Sequence, residues 1–337
     1  MSIIMTGGGT GGHLTIIKAV KEQLRGEELI YIGSTRGQDQ QWFGDDDDFA
    51  QKYFLETRGV VNQGVFGKIK SLIMLASATK EAMTLLKRHD AKVVFSVGGF
   101  SSAATSLAAK LKGVPLAIHE QNAALGSLNR VMKPYAAAFI SSYLDESPIH
   151  AYPIKQIFFK NARLRSHIKS IIFLGGSQGA KAINGLALSL APEFKRRGVA
   201  VIHQAGEKNI DEVKRAYGDL GIDAEVFGFT TELASYMKKA DFAIARAGAS
   251  TLWELSATGL PTLYIPYPYA ASDHQYYNAE FLVERELAWV MREDAIDERE
   301  VLSLLDEDIE AKSRGLLEVV EDSGSQKIAT LLQNISF

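Results

Sequence analysis

Short β-branched runs alternate with segments of helical spacing along the whole chain. The runs at residues 2–5, 29–32, 93–97, 116–119 and 138–141 read as strands, and so do those at 170–174, 199–203, 224–227, 242–245 and 262–265. Between them apolar residues recur every three or four positions, as over 16–24 and 182–190. Brief Ile- and Val-rich runs joined by helices predict parallel sheets buried on both faces. The stretch 145–165, with Pro148 and Pro153 and no sustained period, predicts a linker. The expected organisation is a domain over 1–155, a second over 156–322, and a terminal helix over 323–337 that packs back on the first.

One helical segment, 68–88, has apolar residues on two faces. Ile69, Leu72, Ile73, Ala76, Met83 and Leu86 predict a stripe facing the core, while Met74, Ala78 and Leu85 fall opposite, near Lys70 and Arg88. The second strip, joined by Val65 and Phe66, suits insertion into an anionic interface; a helix buried on both sides is the alternative.

Length and composition fit two domains. At 337 residues with 46% hydrophobic content, the chain exceeds one usual core and can fill two. It has no cysteine, which excludes disulfides and thiolate chemistry. No apolar leader precedes the first strand and no apolar run approaches the roughly 20 residues of a spanning helix. Net charge is −3, yet between Arg58 and Lys133 eleven basic residues face only Glu81, Asp90 and Glu120, a local +8. That polarity predicts an anionic membrane surface as partner, with solvated faces of differing sign as the plain alternative.

The glycines carry the chemistry. Ile3-Ile4-Met5-Thr6-Gly7-Gly8-Gly9-Thr10-Gly11-Gly12-His13 and Ile171-Ile172-Phe173-Leu174-Gly175-Gly176-Ser177-Gln178-Gly179-Ala180 each read as strand, glycine turn and helix, an arrangement that offers backbone N–H groups to a phosphate. Two such units predict an α/β protein with two Rossmann-like parallel-sheet domains facing a cleft. Gly7, Gly9 and Gly12 satisfy G-x-G-x-x-G, but the second strand ends in Gly33-Ser34 without the acid that holds a dinucleotide's ribose, so a dehydrogenase is disfavoured. A third glycine segment, Gly98-Gly99, precedes His119-Glu120-Gln121-Asn122 and Asn129-Arg130, polar residues crowded beyond an apolar strand. In the second half, a turn and helix start at Ala249, Ser250 and Thr251 offers amides to a phosphate. Glu254 suits ribose hydroxyls, and Gln275 in a long polar loop suits a sugar.

These segments, GGGTGGH from Gly7, HEQN from His119, GGSQGA from Gly175, RAGAST from Arg246 with Glu254, and DHQ from Asp273, run in the order of the MurG family of bacterial GT-B glycosyltransferases, which the chain resembles over nearly its full length. The resemblance implies a GT-B fold and inverting transfer of GlcNAc from UDP-GlcNAc to the C4 hydroxyl of lipid-linked MurNAc-pentapeptide in peptidoglycan synthesis. It implies action at the cytoplasmic face of the membrane as a peripheral protein, without nucleic acid, cofactor or metal. It further implies donor contacts at Thr10, Gly11, Gly12, Asn122, Ser177, Thr230, Ala249, Ser250, Thr251, Leu252, Trp253, Glu254 and Gln275, with Phe229 covering the uracil. Lys155 stands where the family commonly has an arginine and keeps the charge without the bidentate fork. His13, after the glycines at a helix start, is the expected general base, with Glu120 in reserve. The acids Asp45, Asp46, Asp47 and Asp48 read as solvated rather than metal-binding. A diacylglycerol glycosyltransferase of the same fold is the nearest alternative, and a nucleotide-sugar binding protein without turnover a more distant one.

Overall fold

The computed structural model describes residues 1–57, 65–176 and 179–335, with the side chains of 65–69 outside the described set. Two compact units form, one comprising Met1–Lys155 with Asp322–Phe337, the other Gln156–Glu321. In the first unit β1 (Ser2–Thr6), β2 (Leu29–Ser34), β3 (Gln51–Leu55), β4 (Ala91–Ser96), β5 (Leu116–Glu120) and β6 (Ala138–Ser141) make a parallel sheet in the order β3-β2-β1-β4-β5-β6. The second unit has β7 (Ser170–Leu174), β8 (Ala200–Gln204), β9 (Ala224–Phe227), β10 (Phe242–Ala245), β11 (Thr262–Tyr264) and β12 (Trp289–Val290), in the order β12-β11-β10-β7-β8-β9. Counted from its own first strand, each sheet follows the same order, and each reverses direction beside that strand. Register pairs Thr6 with Ser96 across the first reversal and Leu174 with Ala245 across the second. Such a reversal opens a crevice at the carboxyl ends of the strands.

Two strands were not expected. β3 and β12 lie at sheet edges; β3 begins with Gln51-Lys52 and is mostly half-exposed, and β12 has only two residues. Edge strands carry little of the apolar signal that marks buried ones.

The Val65–Arg88 helix buries part of each expected face: Leu86 of the core-facing stripe is inside and Met83 packs against the core, but so are Ala78 and Leu85 of the opposite strip. Ala78 and Leu85, at 4% exposure each, join Ala82 and Leu86 in the core, while Leu72 and Ile73 are 54% and 66% exposed. Its inner partner is the Ala103–Lys112 helix, whose Ala104, Ala108 and Ala109 are also buried. Small residues on both helices permit close approach, and the larger Leu72 and Ile73 are left outside. The expected members Val65, Phe66 and Ile69 lie outside the described side chains.

In the second unit one cation anchors two helices. Arg165 is 1% exposed, and its guanidinium donates to the carbonyls of Met237, Ala240, Thr258 and Arg163. The first three lie at the carboxyl ends of the Leu233–Lys239 and Ala249–Ala257 helices, where unpaired carbonyls and the helix dipole favour positive charge. Burial pushes its pKa down to about 9, followed by the nearby Arg163 charge, so it remains cationic at neutral pH.

His203 on β8 is buried between Tyr217 Oη and Asn184 Oδ1, each at 3.0 Å. Asn184 gives its amide nitrogen to the Ala205 carbonyl, so its oxygen must accept from His203 Nε2–H while the Tyr217 hydroxyl donates to Nδ1. The ring is neutral, and burial holds its pKa at about 4. An unfolded histidine titrates near 6.5, so the stabilisation is complete above that pH and is lost progressively as pH falls toward 4. Between pH 7 and 5 this group should remove about 2 kcal/mol of stability. Thermal melts of His203→Gln should show a shallower fall over that interval than the parent; equal slopes would mean that His203 is not the proton acceptor.

Candidate functional site

At the reversal in the first unit, β1 runs into Gly7-Gly8-Gly9-Thr10 and then the Gly11–Lys21 helix, while β4 runs into Val97-Gly98-Gly99. The two turns touch, Gly8 N–H donating to the Gly98 carbonyl at 3.4 Å. His13 sits in the first helical turn, half-buried. Its Nδ1 lies 2.9 Å from Thr10 Oγ1 and its Nε2 3.0 Å from Gln121 Nε2. An amide nitrogen only donates, so Nε2 accepts and the proton rests on Nδ1, directed at Thr10. In this geometry Nε2 is the accepting nitrogen of the ring, held by the Gln121 amide.

Gln121 and Asn122 are presented by a loop built on Glu120, which is buried at the end of β5. Its Oε1 accepts from the Asn122 backbone at 3.0 Å and from Asn122 Nδ2 at 3.5 Å, and its Oε2 from Gly126 N–H and Asn129 Nδ2, each at 2.9 Å. Both oxygens are therefore engaged in holding 122–129. Beside it His119 is fully buried, its ring edge-on to Tyr152 at 5.5 Å, with no hydrogen-bond partner on either nitrogen among the described residues. Burial, and secondarily the charge of His13, pushes its pKa to about 3, so it too is neutral. Lys155 is half-buried in this unit. Lys18, above the Trp42 ring, has its pKa lowered first by burial and then by the Lys155 charge.

In the second unit the corresponding reversal lies between β7 and β10. After β10, Gly248 is the N-cap of the Ala249–Ala257 helix and contributes no capping side chain. The first turn of such a helix presents N–H groups toward an anion. Asn278, buried, donates to the Ala247 carbonyl at 3.1 Å and fixes this turn from behind. Arg246 donates to the carbonyls of Ile265 and Pro266, pairs with Glu293, and lies over the Tyr267 ring. It holds the start of the loop that ends at Gln275, whose Oε1 accepts from Tyr267 N–H at 2.9 Å and whose amide nitrogen is left to donate. Asn278 was not expected, and only its closeness in sequence to Gln275 hints at it; Arg246, which opens the RAGAST segment, was given no role.

Residues 3–141 match the glycosyltransferase family 28 N-terminal domain, and residues 170–335 match the glycosyltransferase family 28 C-terminal domain. The chain belongs to glycosyltransferase family 28. Like the other members, it is a glycosyltransferase. It is 73% identical over 334 residues, 99% of both chains, to the UDP-N-acetylglucosamine--N-acetylmuramyl-(pentapeptide) pyrophosphoryl-undecaprenol N-acetylglucosamine transferase of Sulfurovum sp. (strain NBC37-1). The transferase of the same name from Campylobacter jejuni subsp. jejuni serotype O:6 is 45% identical over 342 residues, 100% of this chain and 99% of the other. The crystal structure of Acinetobacter baumannii MurG has a TM-score of 0.82 to this chain at 26% identity, covering 99% of each. These likenesses include the GT-B fold.

Within this family 28 frame the expected site residues fall into three groups. Thr10, Gly11, Gly12, His13, Glu120 and Asn122 lie together at the reversal of the first unit, and Thr10 is engaged with His13. Ala249, Ser250, Thr251, Glu254 and Gln275 lie about the turn and loop of the second, where Leu252 and Trp253 are buried. Phe229 is exposed beside Thr230, its backbone N–H held by Glu207, and Thr230 Oγ1 accepts from Glu232 N–H at 3.0 Å. Ser177 lies outside the described residues. In the acidic run Asp46, half-buried, and Asp48, exposed, both grip the buried Lys21, at 2.6 and 2.7 Å, Asp47 pairs with Lys52 at 3.9 Å, and Asp45 is exposed.

Glu120→Gln should destabilise the first unit, since an amide places a donor against two of the four N–H groups that the carboxylate satisfies. Leaving one buried donor unmatched costs about 1–3 kcal/mol. A melting temperature unchanged in the variant would free Glu120 from this role.

Proposed function

We propose that this protein transfers N-acetylglucosamine from UDP-GlcNAc to the C4 hydroxyl of undecaprenyl-pyrophosphoryl-MurNAc-pentapeptide, with inversion. The observation that carries the reading is the pair of unlike crevices on sheets of like order: one with the His13 imidazole, the other with a helix start at Ala249 that has a glycine N-cap and carries Glu254. The names of the full-length relatives supply the substrates. The acceptor oxygen attacks the anomeric carbon as its proton passes to His13 Nε2, and the bond from that carbon to the diphosphate oxygen breaks. The charge left on UDP is met by the amides at Ala249 and its neighbours. Glu254 takes the ribose hydroxyls, Gln275 and Asn122 the sugar, Ser177 the diphosphate, Phe229 the uracil face, and Lys155, Thr10, Gly11 and Gly12 further substrate contacts. Glu120 acts by positioning Gln121 and Asn122. The turnover assay is release of UDP from UDP-GlcNAc with the lipid-linked acceptor, with diacylglycerol as the control acceptor. Transfer to diacylglycerol alone would overturn the reading.

The kinetic constants should divide between the units. His13→Ala should lower kcat by roughly 10²–10⁴ with UDP affinity nearly intact, because general-base catalysis acts on the transition state. Glu254→Ala should instead raise the donor KM by about tenfold to a hundredfold, as expected for loss of a charged hydrogen-bond acceptor. Wild-type kcat in the first variant, or unchanged UDP affinity in the second, would remove the corresponding assignment.

A peripheral position on the cytoplasmic face of an anionic membrane fits the same unit that holds His13. Among the described residues no helix is long and apolar enough to cross a membrane. Exposed apolar residues among the described ones include Leu72, Ile73, Leu111, Val131 and Tyr135, on neighbouring surface helices that also carry Lys70, Lys110, Lys112 and Lys133. Leu72 and Ile73 thus replace Ala78 and Leu85 as the inserting pair. Binding to anionic vesicles should exceed binding to neutral ones and weaken with salt, and Leu72→Ser with Ile73→Ser should reduce it. Equal binding to both vesicle types would exclude the electrostatic contribution.

A further inference from the structure

The turn that carries His13 depends on an acid from outside its own sequence motif. Asp39 opens the Asp39–Phe43 helix five residues beyond β2 and is fully buried. Its Oδ2 accepts from Gly9 N–H at 2.7 Å, and its Oδ1 accepts from Tyr31 Oη at 2.9 Å and Ser34 N–H at 3.1 Å. Tyr31 Oη also lies 2.8 Å from the Gly7 carbonyl, so its single proton is shared between that carbonyl and Asp39 Oδ1, and the phenol with the carboxylate ties both ends of Gly7-Gly8-Gly9 to β2. Burial first, and then the Asp39 charge, pushes the Tyr31 phenol well above its usual range, which keeps it a donor. The carboxylate fits so closely that a Cβ on Gly8 would lie 2.5 Å from its Oδ1, and φ at Gly8 is +154°.

We propose that Asp39 is a positioning residue for the transfer reaction: an internal carboxylate that occupies the anion-seeking Gly9 amide and thereby fixes the turn from which Thr10 and His13 project. In a phosphate-binding turn a ligand's oxygen takes such an amide; here the chain supplies the oxygen itself. Gly8 is thus required by the chain's own acid, independently of nucleotide.

The inference rests on His13 acting as the base, and its test keeps the two apart. All three groups facing Asp39 are donors, and an asparagine can offer oxygen to only one side, so Asp39→Asn must turn an amide NH₂ toward Gly9 or toward Tyr31 and Ser34. Displacement of the turn should lower kcat by about 10²-fold, the scale of an ångström-level misplacement, with the KM for UDP-GlcNAc within about twofold of the parent. Tyr31→Phe, which deletes one hydroxyl and keeps the ring among Phe43 and Phe49, should give a smaller loss of about tenfold with the same unchanged KM. In Asp39→Ala, formate should restore turnover in a saturable manner by returning a carboxylate to the Gly9 amide. The inference is overturned if Asp39→Asn and Tyr31→Phe both keep wild-type kcat, or if Asp39→Ala melts with the parent yet gains nothing from formate. If Asp39→Ala does not fold, Tyr31→Phe decides alone. A His13→Ala variant with full kcat would instead sink the base assignment, whatever the Asp39 variants do.

Discussion

Reversal of strand order is the constraint on which the rest depends. In a parallel sheet every connection must cross back over one face, and beside β1 and β7 successive connections leave for opposite faces. The carboxyl ends of neighbouring strands there have no crossover between them. Backbone turns and helix starts fill that space, so polar groups collect at the end of an apolar sheet without being buried inside it. His13 and the Ala249 turn each occupy such a place because the topology leaves it open.

Buried charge is handled differently in the two units. In the first, Asp39 and Glu120 are anions satisfied by N–H and O–H donors from loops, each binding a segment that reaches toward the reversal. In the second, the cation Arg165 is satisfied by carbonyls at the opposite end of the Ala249–Ala257 helix from the proposed phosphate contact. Positive charge at that carboxyl end and an anion at the amino end both favour the same helix dipole. Breaking any of these would be costly, since a buried ion that loses its partners keeps its desolvation penalty.

The sequence made the sheet architecture legible because interior parallel strands are apolar on both faces, and β1, β4, β7 and β10 stand out as Ile-, Val-, Phe- and Ala-rich runs. β3 and β12 were not legible, being edges with half-solvated side chains. The Val65–Arg88 helix misled for a different reason: counting large apolar residues selected Leu72 and Ile73, whereas close packing against Ala104 and Ala108 selected Ala78 and Ala82. A small-residue interface has a weak hydrophobic signal and a strong steric one. In the site, His13, Glu120 and Glu254 were named from their places after glycines or strand ends. Asp39 was not, because its partner Gly9 is thirty residues away and nothing local marks the pairing.

Asp39 also explains why an incomplete dinucleotide fingerprint was an informative failure. The acid missing after Gly33-Ser34 would have held a ribose; the acid found five residues later faces the turn instead and takes the Gly9 amide itself. A ligand phosphate at that amide would meet a buried carboxylate, and two like charges at contact distance repel strongly in a low-dielectric environment. The same strand, turn and helix therefore does unlike work in the two halves. With its Gly9 amide occupied from within, the first turn is a mount for the proposed base, while the glycine-capped start at Ala249 is suited to an anion.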